Sequence, residues 1–357
     1  MAVSVLRQVC GLAQSELAKR LGVSQSYVSK LEGGQLELSD DALVRIAAEL
    51  MCPPELLTEP SVQFAPGASC VHHRRRKSRM SAASIKRVEG IANLTSLSVT
   101  RLLEASEAAG DQLRLRELVA FPLGTDPAEA AAEVRRLADL ADGRPLDDAV
   151  ALVESFGVVV VRRRFSIPNG SSEPVSQDGV SLTAEGRRPV VILSERLPAD
   201  RERMTVLHEF GHVVMHGLVA ASGDAEIEAE ATRFAAELLM PAVIGRDELQ
   251  GVDETRFARL LELKAKWGMS VGALVEHGLR LGVISPSTHL KMRKRLVQMG
   301  WDRVEPGQPK VERPRLLASV VRSLMADGWT EEKLAQAALM DERVFRLAYA
   351  EQLEEAR

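Results

Sequence analysis

The spacing of apolar residues along the chain changes character three times. Over residues 1–58, small apolar groups at helical spacing are separated by tight turns, which predicts short helices. Residues 80–120 and 128–142 carry Leu, Ile and Val three and four apart, the period of amphipathic helices. Between 157 and 195 the period shortens. Val158-Val159-Val160-Val161, Gly179-Val180-Ser181-Leu182 and Pro189-Val190-Val191-Ile192-Leu193 are β-branched runs bounded by turn residues, and they predict strands. From Asp200 onward the helical period returns and holds to the end. The predicted class is a mostly helical α+β multidomain chain, with an all-α start, a small central sheet and a helical C-terminal region.

Breaks in the pattern suggest the divisions. Pro53-Pro54, Glu59-Pro60 and Pro66-Gly67 interrupt helical periodicity. A basic run, His72-His73-Arg74-Arg75-Arg76-Lys77, follows. It reads as a solvated linker, with an accessory phosphate contact as the alternative. Glu305-Pro306-Gly307-Gln308-Pro309, with Pro314 beyond, sets off the last helices. These breaks set off a helical domain over 1–60 and a helical tail over 308–357; the units expected between them are a helical linker region over 61–144, an α+β domain over 145–250 and a helical bundle over 251–307.

Composition narrows the class. A length of 357 residues suits two or three domains, and 45% hydrophobic residues exclude wholesale disorder. Net charge is −4, so nucleic acid would have to be met by a local basic face. Three scattered cysteines, Cys10, Cys52 and Cys70, make no disulfide framework. Neither a signal-like start nor an apolar run of spanning length is present, so the expectation is a soluble, cytoplasmic protein with no membrane partner.

Residues Gln14 to Glu32 have the logic of two helices joined by a tight turn. Leu17, Ala18 and Leu21 line one face, Gly22 suits a left-handed helix stop, and Ser24 suits an N-cap. Val28 and Leu31 then return to the core and leave Gln25, Ser26, Ser29 and Lys30 outward, an arrangement that suits a major groove. This segment resembles the helix-turn-helix of the Cro/repressor-like (XRE) family. The resemblance implies an operator DNA partner, with Gln14 at backbone phosphate and Gln25, Ser26, Ser29 and Lys30 at bases or phosphates. Two departures stand out: the helix before Gly11-Leu12 is short, and Ala13 replaces the usual capping Thr. A homodimer would match a palindromic operator.

The sharpest chemical signal is His208-Glu209-Phe210-Gly211-His212. On a helix, His208 and His212 lie one turn apart on one face and can reach one zinc ion, while Glu209 stands beside them as a base for water. Leu207, Gly211 and Val214 are expected on the packing side. His216 lies eight residues from His208, about 12 Å along a regular helix, so it is expected behind a ligand or at the surface. A third donor is expected from residues 226–241. Glu228 shares the side of the stripe formed by Ala231, Phe234, Ala235, Leu238 and Leu239, whereas Glu230 points elsewhere.

The motif, the glutamate helix and the run Phe234-Ala235-Ala236-Glu237-Leu238-Leu239-Met240-Pro241 together resemble the ImmA/IrrE family of zinc-dependent metallopeptidases. The resemblance spans about residues 145–307 and is of gluzincin type, which implies a zincin-like domain. It implies Zn2+ held by His208, His212 and Glu228, with Glu209 as catalytic base. Thr232 stands where the family has Asn or Asp, which leaves one supporting hydrogen bond open. The implied activity is cleavage of a repressor-type transcription factor, freeing genes of mobile elements, stress responses or toxin–antitoxin-like loci. The alternative is a non-proteolytic regulator or antitoxin whose metallopeptidase-like domain senses a signal or binds a partner. Residues 253–300 predict three helices around Leu260, Leu263, Trp267, Val271 and Leu274. Residues 311–357 predict helices without assignable chemistry, with Thr330 as a cap and at most partner packing around Trp329.

Overall fold

The computed structural model describes residues 2–58, 69–73, 81–106, 120–165, 177–184, 187–195, 197–217 and 225–356. The first five helices are α1 (Ala2–Val9), α2 (Gln14–Leu21), α3 (Gln25–Glu32), α4 (Asp40–Glu49) and α5 (Pro54–Thr58). They close around Leu6, Leu17, Val28, Leu31, Ile46 and Leu50. Local chemistry sets the bounds of α2 and α3. Ala13 gives α2 no side-chain cap, Gly22 ends it in the left-handed conformation at φ 68°, and the Ser24 hydroxyl accepts from the Tyr27 N–H. That hydroxyl satisfies one of the amides that a helix start leaves open.

A four-stranded sheet occupies the centre. Its strands are β1 (Ser69–His73), β2 (Val159–Arg163), β3 (Gly179–Ala184) and β4 (Val190–Ser194), in the order β1-β3-β4-β2. β3 runs antiparallel to both β1 and β4, while β2 runs parallel to β4. The near-continuous apolar strands are explained by cover on both faces. Val160, Val191 and Leu193 face one core, and Val159, Val161, Val180, Leu182 and Ile192 face another.

The first core is built by α7 (Pro127–Leu137), α8 (Ala149–Ser155), α9 (Ala199–Gly211) and α10 (Ala225–Leu239). It continues into α11 (Ala242–Glu248), α12 (Phe257–Trp267), α13 (Val271–Arg280) and α14 (Pro286–Gln298). Trp267, Met269, Leu274 and Met292 are buried there. The expected packing side of α9 turns out to be its whole circumference from Glu202 on, because the helix is enclosed between sheet and α10. Asp200, in its first turn, receives bonds from Lys264 and Gln308.

Two expected units take a different form. The linker region contains β1, and its long helix α6 (Ala82–Ala105) packs on the second sheet face. The continuation of that helix towards residue 120 and the basic residues Arg74–Lys77 lie outside the described residues. The C-terminal helices α15 (Leu316–Ala326), α16 (Glu331–Ala337), α17 (Glu342–Ala348) and α18 (Ala350–Ala356) are not a detached tail. Leu317, Val320, Val321, Leu324, Phe345 and Tyr349 complete the second core, and the Tyr349 hydroxyl hydrogen-bonds Ser98 of α6. Sheet faces rich in β-branched residues need two apolar covers, and these helices supply one of them.

Candidate metal centre

The centre begins with α9 and the turn that follows it. The helix widens into a π-helical turn over His212–His216, in which the Gly217 N–H donates to the His212 carbonyl at 3.0 Å. Helix α10 crosses close by because residue 211 is glycine. A Cβ there would meet Phe234 Cδ1 at 3.0 Å and the Ala231 Cα at 3.4 Å. This close approach brings Glu228 to the two imidazoles.

Three donor atoms converge. His208 Nε2 and His212 Nε2 are 3.1 Å apart. Glu228 places Oε2 at 3.3 Å from the former and Oε1 at 3.2 Å from the latter. Both rings are fully buried, while the Glu228 side chain remains 31% exposed. Two nitrogens on one tetrahedral zinc, each about 2.0–2.1 Å from it, stand roughly 3.3 Å apart. The donor set therefore fits a small divalent cation in both spacing and chemistry, and it is the one such group of three among the described residues.

The far nitrogens are held from behind. The Thr232 hydroxyl donates to the Glu228 carbonyl at 2.8 Å and lies 3.2 Å from His208 Nδ1, so its oxygen can accept from that nitrogen. The hydrogen bond left open by the Asn/Asp-to-Thr change is thus supplied by threonine. His216 is buried rather than at the surface. Its Nδ1 lies 3.1 Å from His212 Nδ1, and its Nε2 lies 2.9 Å from Glu230 Oε2. Glu230 points away from the donor cluster but onto this third histidine.

Glu209 is fully buried beside the rings. Its Oε2 accepts from the Ser181 hydroxyl at 2.7 Å. Strand β3 comes this near because Gly179 has no side chain: a Cβ would lie 2.6 Å from Thr205 Cγ2 and 3.4 Å from Glu209 Cγ. In the sequence, Ser181 is visible only as part of a strand. The alternation that buries Val180 and Leu182 on the other face is the signal that Ser181 points towards α9.

The end of α10 is fixed independently. Arg135 donates to the Leu238 carbonyl at 2.7 Å, and His277 Nε2 donates to the Met240 carbonyl at 3.0 Å. Burial, with Arg280 adding to it, pushes the His277 imidazole down to about 4 against the pull of that carbonyl, so the ring is neutral. A cleft of about 260 Å³ opens beside Thr232, lined among others by Asp178, Arg201, Met204, Thr205 and Arg280.

In the N-terminal unit Gln25, Ser26, Ser29 and Lys30 are all exposed along α3. Gln14 is half-buried, and its Nε2 donates to Glu32 at 2.8 Å. Burial opposes the charge on Glu32, but bonds from Arg7 and Gln14 outweigh it and hold the carboxyl below its usual range. The Gln14 amide is thus engaged inside the domain, and a phosphate contact would have to share or replace that bond.

A helix-turn-helix joined to an α+β domain with a His-His-Glu cluster defines a DNA-binding regulator that carries a metallopeptidase-type domain. The family models agree: residues 6–57 match the helix-turn-helix, and residues 153–277 match the IrrE N-terminal-like domain. The chain is thus a fusion of an XRE-type helix-turn-helix with an IrrE/ImmA-like domain. No curated protein matches it. No helix among the described residues is long and apolar enough to cross a membrane.

Proposed function

We propose that the chain is a regulatory zinc peptidase that binds operator DNA and cleaves a repressor-type transcription factor. The supporting observation is the convergence of His208, His212 and Glu228 within hydrogen-bond distances, with Glu209 anchored by Ser181 at their side. Two imidazoles and a carboxylate are a catalytic rather than a structural zinc set, since structural sites use four protein ligands and are rich in thiolate. A zinc ion so held supplies Lewis acidity that lowers the pKa of water towards ~7 and polarises a peptide carbonyl.

The chain's own residues do the rest. Glu209 takes the proton of the attacking water and returns it to the departing amine nitrogen. Ser181 keeps the Glu209 carboxylate oriented, and Thr232 keeps His208 in the tautomer with a free Nε2 lone pair. Gln25, Ser26, Ser29 and Lys30 on α3 read the operator, and Gln14 takes a phosphate.

The experiment is incubation of the zinc-loaded protein with the products of neighbouring genes. A discrete cut in a helix-turn-helix partner is expected. Chelator should abolish it, and so should Glu209→Gln, which still carries about one zinc per chain. Equal cutting by Glu209→Gln would refute the assigned base. Tight operator binding with no cut in any partner would select a sensor or antitoxin instead.

A further inference from the structure

We infer that His216 and Glu230 are positioning residues that form a relay behind the zinc ligand His212. The inference rests on the reading of His208, His212 and Glu228 as metal ligands and goes beyond it. A neutral imidazole has one N–H donor and one lone-pair acceptor. With the Nε2 lone pair of His212 turned to the cation, its proton must sit on Nδ1. That Nδ1 faces the Nδ1 of His216 at 3.1 Å, so the His216 nitrogen must accept. The remaining nitrogen of His216 then carries its proton and donates it to Glu230 Oε2 at 2.9 Å. Each link fixes the next, from carboxylate to imidazole to imidazole.

The pair is four residues apart, as His208 and His212 are, and it sits within the widened turn. Continued as a regular helix, residue 216 would be offset from 212 by about 40° around the axis and one turn along it. The π-helical turn, closed by the Gly217 N–H on the His212 carbonyl, seats the His216 ring 5.1 Å from the His212 ring, centroid to centroid. The two ligand histidines therefore receive unlike support. His208 rests on the neutral hydroxyl of Thr232, whereas His212 ends, through His216, on a carboxylate. A carboxylate behind a ligand imidazole fixes its tautomer and strengthens its donation to the metal, and losing such a partner typically weakens metal binding 10–100-fold.

The test is zinc affinity of the full chain, measured by competition with a chromogenic chelator. Glu230→Gln and His216→Phe should each weaken zinc binding by about 10–100-fold, while Glu226→Gln, on the exposed face of the same helix, should not. Glu230 is partly exposed, so Glu230→Gln keeps the test decisive even where His216→Phe disturbs packing. Long-range proton–nitrogen correlations on the zinc-loaded protein should show His212 protonated at Nδ1 and His216 at Nε2. Unchanged affinity in both variants, or the opposite tautomer on either ring, overturns the relay. A wild-type chain that takes up no zinc at all overturns the ligand reading beneath it, and the two failures are distinct.

Discussion

At the scale of single residues, the centre shows that partners decide what an imidazole does. His277 is buried, donates to the Met240 carbonyl and accepts from Arg280, and the second of these bonds requires the neutral ring. Its pKa of about 4 lies below the ordinary 6.5. The stability it contributes is therefore whole above pH 6.5 and is lost as pH falls towards 4. Between pH 6.5 and 5 the loss should be on the order of 2 kcal/mol. Urea midpoints at the two pH values should fall further for the wild type than for His277→Gln; equal falls would discount the group. Glu154 and Glu312, both pushed up to about 7 by burial, act in the opposite sense and cancel in the comparison.

The same scale separates what spacing reveals from what it hides. His208 and His212 are set four apart, and Glu228 rides on an apolar stripe, so their convergence is legible from periodicity alone. Ser181 is legible only as a strand position facing away from Val180 and Leu182, because which helix residue it meets lies across a sheet–helix interface that no local pattern encodes. For His216, spacing from His208 is the wrong measure, since its neighbour is His212. The four-residue spacing of His212 and His216 matches that of His208 and His212, but nothing local shows that Glu230 stands behind the pair.

At the scale of elements, α3 offers a continuous exposed face of amide, hydroxyl and ammonium groups. Substituting both Gln25 and Ser29 by alanine should cost about 1–3 kcal/mol for each base that is no longer read and relax selectivity at those positions. Fluorescence anisotropy with operator and scrambled duplexes checks this, and an isotherm identical to wild type would remove α3 as the reading helix. The bounds of α2 and α3 are legible because glycine and serine act locally. The strands are legible from β-branched runs, yet β1 is not, since Ser69-Cys70-Val71-His72-His73 lacks any such run and is defined by pairing with β3.

At the scale of the whole molecule, the sheet is the organising layer, and the C-terminal helices are its second cover. Removing residues 316–357 would strip Leu317, Val321, Phe345 and Tyr349 from Val159, Val161 and Ile192, along with the Arg162–Glu351 ion pair. Each large apolar side chain removed from such a face is worth about 1.5–3 kcal/mol, so several exceed the whole stability margin of a typical domain. The truncated chain should aggregate on gel filtration and lose its cooperative thermal transition. A monodisperse, cooperatively melting product would show that the cover is dispensable. The last helices read as a separate tail because proline-rich residues 305–314 look like a linker. In three dimensions they form a strap. Glu305 takes the N–H groups of Val271 and Gly272 together with Lys264, and Glu312 takes those of Ala149 and Val150 together with Arg203.

One missing side chain also governs how the N-terminal helices are mounted. Gly90 lies where α6 meets α1, and a Cβ there would come within 2.5 Å of Val9. Bare backbone at that point lets the helix-turn-helix unit sit flush on the helix that also backs the sheet. A methyl group would act as a wedge, loosening the joint through which the two halves share one frame.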